Sequence, residues 1–500
     1  MADLSLKFLA GLFQGGRDRL IEVAGRVSTR IIGAAFMAAL LMLNQFWPLD
    51  WVVGSGVFLL ALMAGLMLRA HLKHVCPKVD ERRRTERVIW FTSVLAVIGV
   101  QIANLSLEGT ELGRAGFLLF APLVAQSMLI AALVTPGVAI AGLSMTVLLM
   151  GIPGVLPTEF LFGAWLSGAI GAHVVNPLKQ RSDLIRAMSI QVVAQVVIAA
   201  SMVMISNQIR LPAYEAAIWG AVAAIGATAI FWLAVAIFEK LFGIVSDWTL
   251  LELGNPEHPL LRELVLRTPG TYAHSVGVAN LSEEAARAVG ANPLLVRTMA
   301  YYHDCGKTVR PNFFVENQIG SNLHDDLSPN LSAQIVAAHV EDGLKLGKEH
   351  GLPQIILDGI AQHHGTSLIT FFFHRAVQET GVDPCEHFQE KFRYPGPKPQ
   401  SKETAILHLA DIAEAATRAM PSTENLEEFV ENLIESSRAD GQLDECDLTF
   451  RDLETIKDAF CRCLRAIRHE RVTYPVKEES EQETAVSGHD SQRHQEAQSL

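Results

Sequence analysis

The sequence predicts an all-α chain in two parts, a polytopic transmembrane helix bundle followed by a cytoplasmic all-helical domain. Three observations carry this. Hydrophobic residues are 50% of the 500, and 37 glycines raise the apolar-plus-glycine share to about 57%, above the roughly 45–50% of ordinary soluble proteins. Charge divides along the chain: residues 1–250 hold 18 Lys and Arg against 14 Asp and Glu, residues 251–500 hold 23 against 39. Apolar residues of the second half recur at helical spacing, without strand alternation. This composition excludes a wholly soluble enzyme, a disordered protein and a collagen-like chain. Six Cys without C-x-x-C spacing exclude a disulfide scaffold. The acidic half is a poor nucleic-acid binder, because phosphate contact needs a basic surface. A small anionic ligand would need a local basic patch or metal ions there.

In chain order, Leu4–Val27 carries Arg and Asp opposite Leu, Phe and Ile, the pattern of an interfacial helix. Residues 1–30 are therefore expected in the cytoplasm. Eight spans follow within 31–242: Ile31–Trp47, Trp51–Leu68, Val88–Leu105, Ala115–Val134, Gly137–Leu156, Phe160–Val175, Ala187–Ile205 and Ala216–Phe238. Basic loops set the orientation. Arg17–Arg30, Arg69–Arg87 and Lys179–Arg186 belong inside, and Ser106–Arg114, with Glu108 and Glu111, outside. Both termini then face the cytoplasm of a bacterial inner membrane. Intramembrane charges are few, which argues against a transporter; His173, near a span end, reads as interfacial.

From Leu251 to about Pro475 the periodicity predicts helices over Ala273–Val289, Pro293–His303, Leu331–His350, Pro353–His364 and Glu403–Met420. Gly290, Gly306, Gly351 and Gly365 stand where C-caps belong, and Pro293 and Pro353 open helices. Residues 251–475 form one cytoplasmic domain, and Val476–Leu500 reads as a disordered tail.

His274, His303, Asp304, His339, His363, His364 and Asp411 each sit on, or at the end of, an apolar helical stripe. Stripes face the core, so these polar groups converge inside the bundle. One buried His has an ordinary explanation, a backbone hydrogen bond. Five imidazoles and two carboxylates on five helices are a ligand set for Zn, Fe or Mn. Asp304 has two oxygens and can bridge two ions.

The pattern H…HD…H…HH…D resembles the HD superfamily of metal-dependent phosphohydrolases, all-α in fold. The segments Arg267–Val276 (RTPGTYAHSV), Tyr301–Lys307 (YYHDCGK), Leu323–Ala333 (LHDDLSPNLSA), Gln362–Leu368 (QHHGTSL), Phe392–Gln400 (FRYPGPKPQ) and Asp440–Glu445 (DGQLDE) resemble the seven-transmembrane HD family of the PgpH type. The likeness covers about Arg267–Pro475, and reaches the membrane half through the span count and the loop Arg181–Arg186. It implies a cyclic di-AMP phosphodiesterase yielding pApA, with two divalent ions, Fe or Mn. One ion would take His274, His303, Asp304 and Asp411. The other would share Asp304 and take His339, His363 and His364. A third is not expected, since the place for its carboxylate, four residues before His274, is Gly270. Typical members carry a large extracellular domain after the first span, for which no outer loop here has room.

Two ions side by side suit in-line attack on a phosphodiester. Asp304 and Lys307 are the catalytic candidates, the lysine expected to set its ammonium near a nonbridging phosphate oxygen. A solvated helix-end lysine is the alternative. Arg310 and Lys398 are candidates for a second phosphate, and His324 is a weaker one for which loop structuring is favoured. Tyr301 and Tyr302 could stack on a base, but core packing is favoured. Rival readings are a hydrolase of another nucleotide or of cyclic di-GMP, and a non-catalytic nucleotide-binding receptor. Expected partners are the cyclic dinucleotide and the bilayer, not nucleic acid. The sequence leaves homodimerisation open.

Overall fold

The computed structural model describes residues 31–41, 51–76, 79–106, 117–152, 158–176, 178, 181–206, 211–318, 320–381, 386–419 and 425–468. The expected interfacial helix Leu4–Val27, the loop after Ser106 and the tail Val476–Leu500 lie outside these residues.

The first half is helical: α1 (Ile31–Leu41), α2 (Trp51–Val75), α3 (Val79–Ser106), α4 (Phe120–Leu133), α5 (Pro136–Gly151), α6 (Thr158–Val174), α7 (Arg181–Ile205) and α8 (Ala213–Phe242). Four described helices are long and apolar enough to cross a bilayer on length and composition: Val52–Val75, Arg82–Ala103, Ser182–Ile205 and Ala213–Phe242. α2 and α3 run beyond the apolar stretches into Arg69–Lys73 and Arg82–Arg87, because backbone hydrogen bonding continues wherever the chain stays helical. Nearly all of α4 is buried, and it packs against α3, α5, α6 and α8. Leu59, Met63, Met67, Trp232, Leu233 and Ile237 point outward, as lipid-facing side chains must.

A short helix, α9 (Asp247–Leu253), joins the halves. Glu239, in the last turn of α8, accepts from Ser246 N (3.2 Å) and Thr249 Oγ1 (2.9 Å), tying the start of α9 to the bundle. At its other end Tyr302 Oη donates to Leu253 O at 2.6 Å and Thr298 Oγ1 to Leu250 O at 3.3 Å. The fully buried Tyr302 is thus a packing and anchoring residue, and Tyr301 is engaged by Arg297.

The second half contains α10 (Pro259–Arg267), α11 (Pro269–Ala288), α12 (Pro293–Tyr302), α13 (Pro329–Glu349), α14 (Gln354–Gln362), α15 (Thr370–Thr380), α16 (Lys402–Ala419), α17 (Leu426–Ala439) and α18 (Phe450–Arg468). The helices expected from periodicity are all present within a few residues. The described residues contain no strand beyond one isolated bridge, Leu368 with Arg393. α11 packs against α12, α16 and α18, and its apolar face joins Val278, Leu281, Met299, Ile360, Ile406 and Phe460 in one core. Gly306 departs from expectation. It lies inside a 3-10 turn, Cys305–Val309, rather than at a C-cap. A Cβ there would overlap the His339 carbonyl and Gly343 N, so the residue is small because α13 passes against it.

Candidate metal centre

All seven expected ligand side chains meet in the core of the second half. α11 supplies His274. α12 ends on His303, and Asp304 opens the 3-10 turn that follows. α13 supplies His339, α14 ends on His363 with His364 next, and α16 supplies Asp411. Six are buried, and the His364 side chain is 21% exposed.

The Asp304 carboxylate divides the cluster. Its Oδ2 faces His303 Nε2 at 3.2 Å and His274 Nε2 at 3.6 Å. Its Oδ1 faces His339 Nε2 at 3.3 Å and His363 Nε2 at 3.7 Å. Asp411 spans the same two sides, with Oδ1 at 3.0 Å from His274 and 3.7 Å from His303, and Oδ2 at 3.4 Å from His364 Nδ1. Donor atoms of Asp304, His339, His363 and His364 lie within 4.8 Å of one another, as do those of His274, His303 and Asp304.

The ring orientations have local causes. Nδ1–H of His303 donates to Ala300 O (2.7 Å), that of His339 to Val336 O (2.6 Å) and that of His363 to Ile360 O (2.8 Å). Each is a carbonyl three residues back, so each ring turns its Nε2 lone pair inward. His274 Nδ1–H donates instead to the Glu414 carboxylate at 2.5 Å, and Arg418 Nε holds that carboxylate at 2.8 Å. Partners of this kind fix the tautomer and raise ligand basicity.

These residues fit divalent metal. The Nε2 atoms of His339 and His363, both turned inward by Nδ1–H donation, stand 3.1 Å apart with facing lone pairs, an arrangement that a cation relieves. His303 Nε2 and Asp304 Oδ1 are buried without a hydrogen-bond partner among the described residues. The electrostatics agree. Burial opposes the Asp304 charge, yet Lys307 and then His303 hold its pKa well below the carboxylate range. Burial also opposes protonating His303, but Asp304 and Asp411 raise it to about 10, so the two carboxylates draw positive charge to Nε2, where a proton competes with a metal ion. Burial, then His303 and His339, push His363 down to about 3.

The non-ligand candidates fare differently. Lys307 is neither solvated nor free: its ammonium lies 2.8 Å from Asp304 Oδ2 and 2.9 Å from Glu316 Oε1, over the Phe314 ring. Arg310 pairs with Asp342 on α13. Lys398 lies 3.9 Å from Asp444. His324 is not gathered into the cluster. It is buried, its Nε2 donates to Phe313 O at 2.9 Å, and its ring packs against Phe313 and Phe372, so it structures a loop.

Sequence reasoning does not single out Glu414, Glu316 or Tyr394. Glu414 is legible in hindsight, three residues after Asp411 and on the same helix face. Tyr394 stacks on His364 with centroids 4.1 Å apart, and its loop position leaves no periodic trace.

Two family models match. One, described as a 7TM receptor with intracellular HD hydrolase, matches residues 51–246; the other, the HD domain, matches 271–416. The chain is 39% identical over 431 residues to the cyclic-di-AMP phosphodiesterase PgpH of Bacillus subtilis, covering 83% of this chain and 60% of that protein. It is 35% identical over 447 residues to the Listeria monocytogenes protein of the same name, covering 87% and 60%. The chain thus spans 60% of the length of each of these curated relatives. The crystal structure of the L. monocytogenes PgpH HD domain with cyclic-di-AMP aligns at 42% identity and TM-score 0.41, covering 43% of this chain and 99% of that one. This multi-pass membrane protein, with a metal-binding HD domain after its helix bundle, matches both parts of the seven-transmembrane HD family.

Proposed function

We propose that the chain is a membrane-anchored phosphodiesterase that opens a cyclic dinucleotide, most readily cyclic di-AMP to pApA. The observation that carries this reading is the Asp304 carboxylate, with one oxygen toward each histidine set. The names of the two curated relatives supply the substrate.

Two divalent ions, Fe or Mn, would be held by His274, His303, Asp304 and Asp411 on one side and by Asp304, His339, His363 and His364 on the other. When bound, such a pair supplies Lewis-acid activation of water and neutralises the phosphoryl oxygens. The protein's part is orientation and charge. Carbonyls and Glu414 aim the imidazoles, Lys307 keeps Asp304 ionised, and the apolar core excludes bulk water from the deeper side. Lys307, beside the shared carboxylate, would stabilise charge on a phosphoryl group held there. Lys398, on the loop that also carries Tyr394, is better available to a second phosphate than Arg310, which Asp342 neutralises.

The same reading assigns 31–242 to about eight membrane helices and 251–475 to the catalytic domain on the cytoplasmic side. It leaves monomer or homodimer to be measured. The test is turnover by the purified full chain, loaded with Mn or Fe, on cyclic di-AMP, cyclic di-GMP and linear dinucleotides. Release of pApA with a higher kcat/KM for cyclic di-AMP supports the reading. Tight binding without product would make the protein a receptor.

A further inference from the structure

Two consecutive histidines that both face one site are awkward for a helix, which turns about 100° per residue. α14 meets this by ending at His363, and the chain reverses at Gly365, whose φ is +55°. The His363 and His364 rings then lie 4.0 Å apart on the same side.

What holds this turn comes from far along the chain. Gln442, 1% exposed, accepts from Thr366 N at 2.9 Å through Oε1. Its Nε2 donates to Asp440 Oδ2 at 2.7 Å. Asp440 in turn takes a two-pronged bond from Arg393, at 3.0 and 2.8 Å. Arg393 Nη1 returns to Thr366 O at 2.8 Å. Both backbone groups of Thr366 are therefore held, one by Gln442 and one by Arg393, and Asp440 joins the two. Gln442 comes so near Gly365 that a Cβ there would overlap its Oε1. On the opposite side His408 Nδ1–H donates to His363 O at 2.7 Å.

We propose that Gln442 is the positioning residue for the His363–His364 pair, closing through Asp440 and Arg393 a clamp on Thr366 that aims both imidazoles at the second ion. The inference rests on the two-metal reading. It accounts for the segment Asp440–Glu445, which supplies no ligand and lies 29 residues beyond Asp411.

The test measures metal content and competition affinity of the full chain for Mn, beside the thermal midpoint of the metal-free protein. Gln442→Leu should keep the first ion and bind the second about 10–100-fold more weakly, the usual scale for a group that orients a ligand. Gln442→Glu, which sets two carboxylates side by side, should do the same. Asp440→Asn/Gln442→Glu, which restores the donor–acceptor pair between these two side chains but takes the Nη1 prong from Arg393, should recover the second ion only in part. Two ions at wild-type affinity in Gln442→Leu, or in Gln442→Glu if the leucine variant does not fold, would overturn the proposal and leave the two-metal reading intact. Equal loss of both ions would make Gln442 a general structural residue and overturn it too. A wild-type chain unable to hold a second ion would sink the two-metal reading itself.

Discussion

Lys307 Nζ lies 2.8 Å from Asp304 Oδ2, three residues earlier on the same turn. Of the two sequence readings of this lysine, the solvated helix end does not fit its ion pairs with Asp304 and Glu316. The same ammonium keeps the Asp304 carboxylate ionised and neutralises Glu316. Burial opposes the charge, but Asp304 and Glu316 raise the Lys307 pKa far enough that it stays a cation throughout the working range.

Lys307→Ala should therefore lower kcat by about 10²–10³, the scale for removing one electrostatic donor. Metal content should not fall, because the remaining carboxylates attract cations more strongly. Steady-state kinetics and metal analysis on one preparation check this. Metal lost in parallel with activity would reduce Lys307 to a support for Asp304.

Asp304→Ala should lose both ions and all measurable turnover, since each histidine set faces one oxygen of this carboxylate. His324→Ala should retain both ions, because its partners are Phe313 O and two Phe rings. Elemental analysis of the two variants separates ligand from loop residue.

Glu414→Gln should weaken the His274 side selectively. The bond from His274 Nδ1 survives in length but loses the carboxylate charge, and loss of such a partner costs about 10–100-fold in metal affinity. Competition with a chelator measures it; unchanged affinity would make the 2.5 Å contact incidental.

Gly306→Ala should destabilise the HD domain by about 1–3 kcal/mol, as overpacking does. The added methyl must displace the His339 carbonyl or Gly343 N, both backbone atoms that cannot rotate away. Thermal unfolding of the metal-free protein reports this.

The Asp440 clamp should depend on pH. Burial works against the Asp440 charge, but bonds from Arg393 and Gln442 hold its pKa below the usual carboxylate range. A depressed folded pKa gives stability that is complete above the unfolded value of about 3.9 and is lost as pH falls through the folded one. The difference in thermal midpoint between wild type and Asp440→Asn should be full at pH 6 and shrink below pH 4. A constant difference would show that the clamp's bonds are insensitive to this charge.

The helices, and the gathering of the seven candidate side chains, were determined by the sequence itself. Apolar spacing is a local property of the chain, and it marks α11 to α14 and α16 within a few residues. A histidine on an apolar stripe must face the core whatever the stripe packs against, so the seven candidate positions were legible before any contact was known. Local pattern does not carry pairing between segments distant in sequence. Glu316 beside Lys307, Arg310 with Asp342 and Gln442 against Thr366 each have at least one partner outside the regular helices, where no period exists to be read. Gly306 looks like a cap because caps and close approaches both call for glycine, and only the path of α13 tells them apart. The sequence placed the ligands on their stripes; the tertiary structure decided which oxygen of Asp304 faces which histidines, because that depends on how five helices cross.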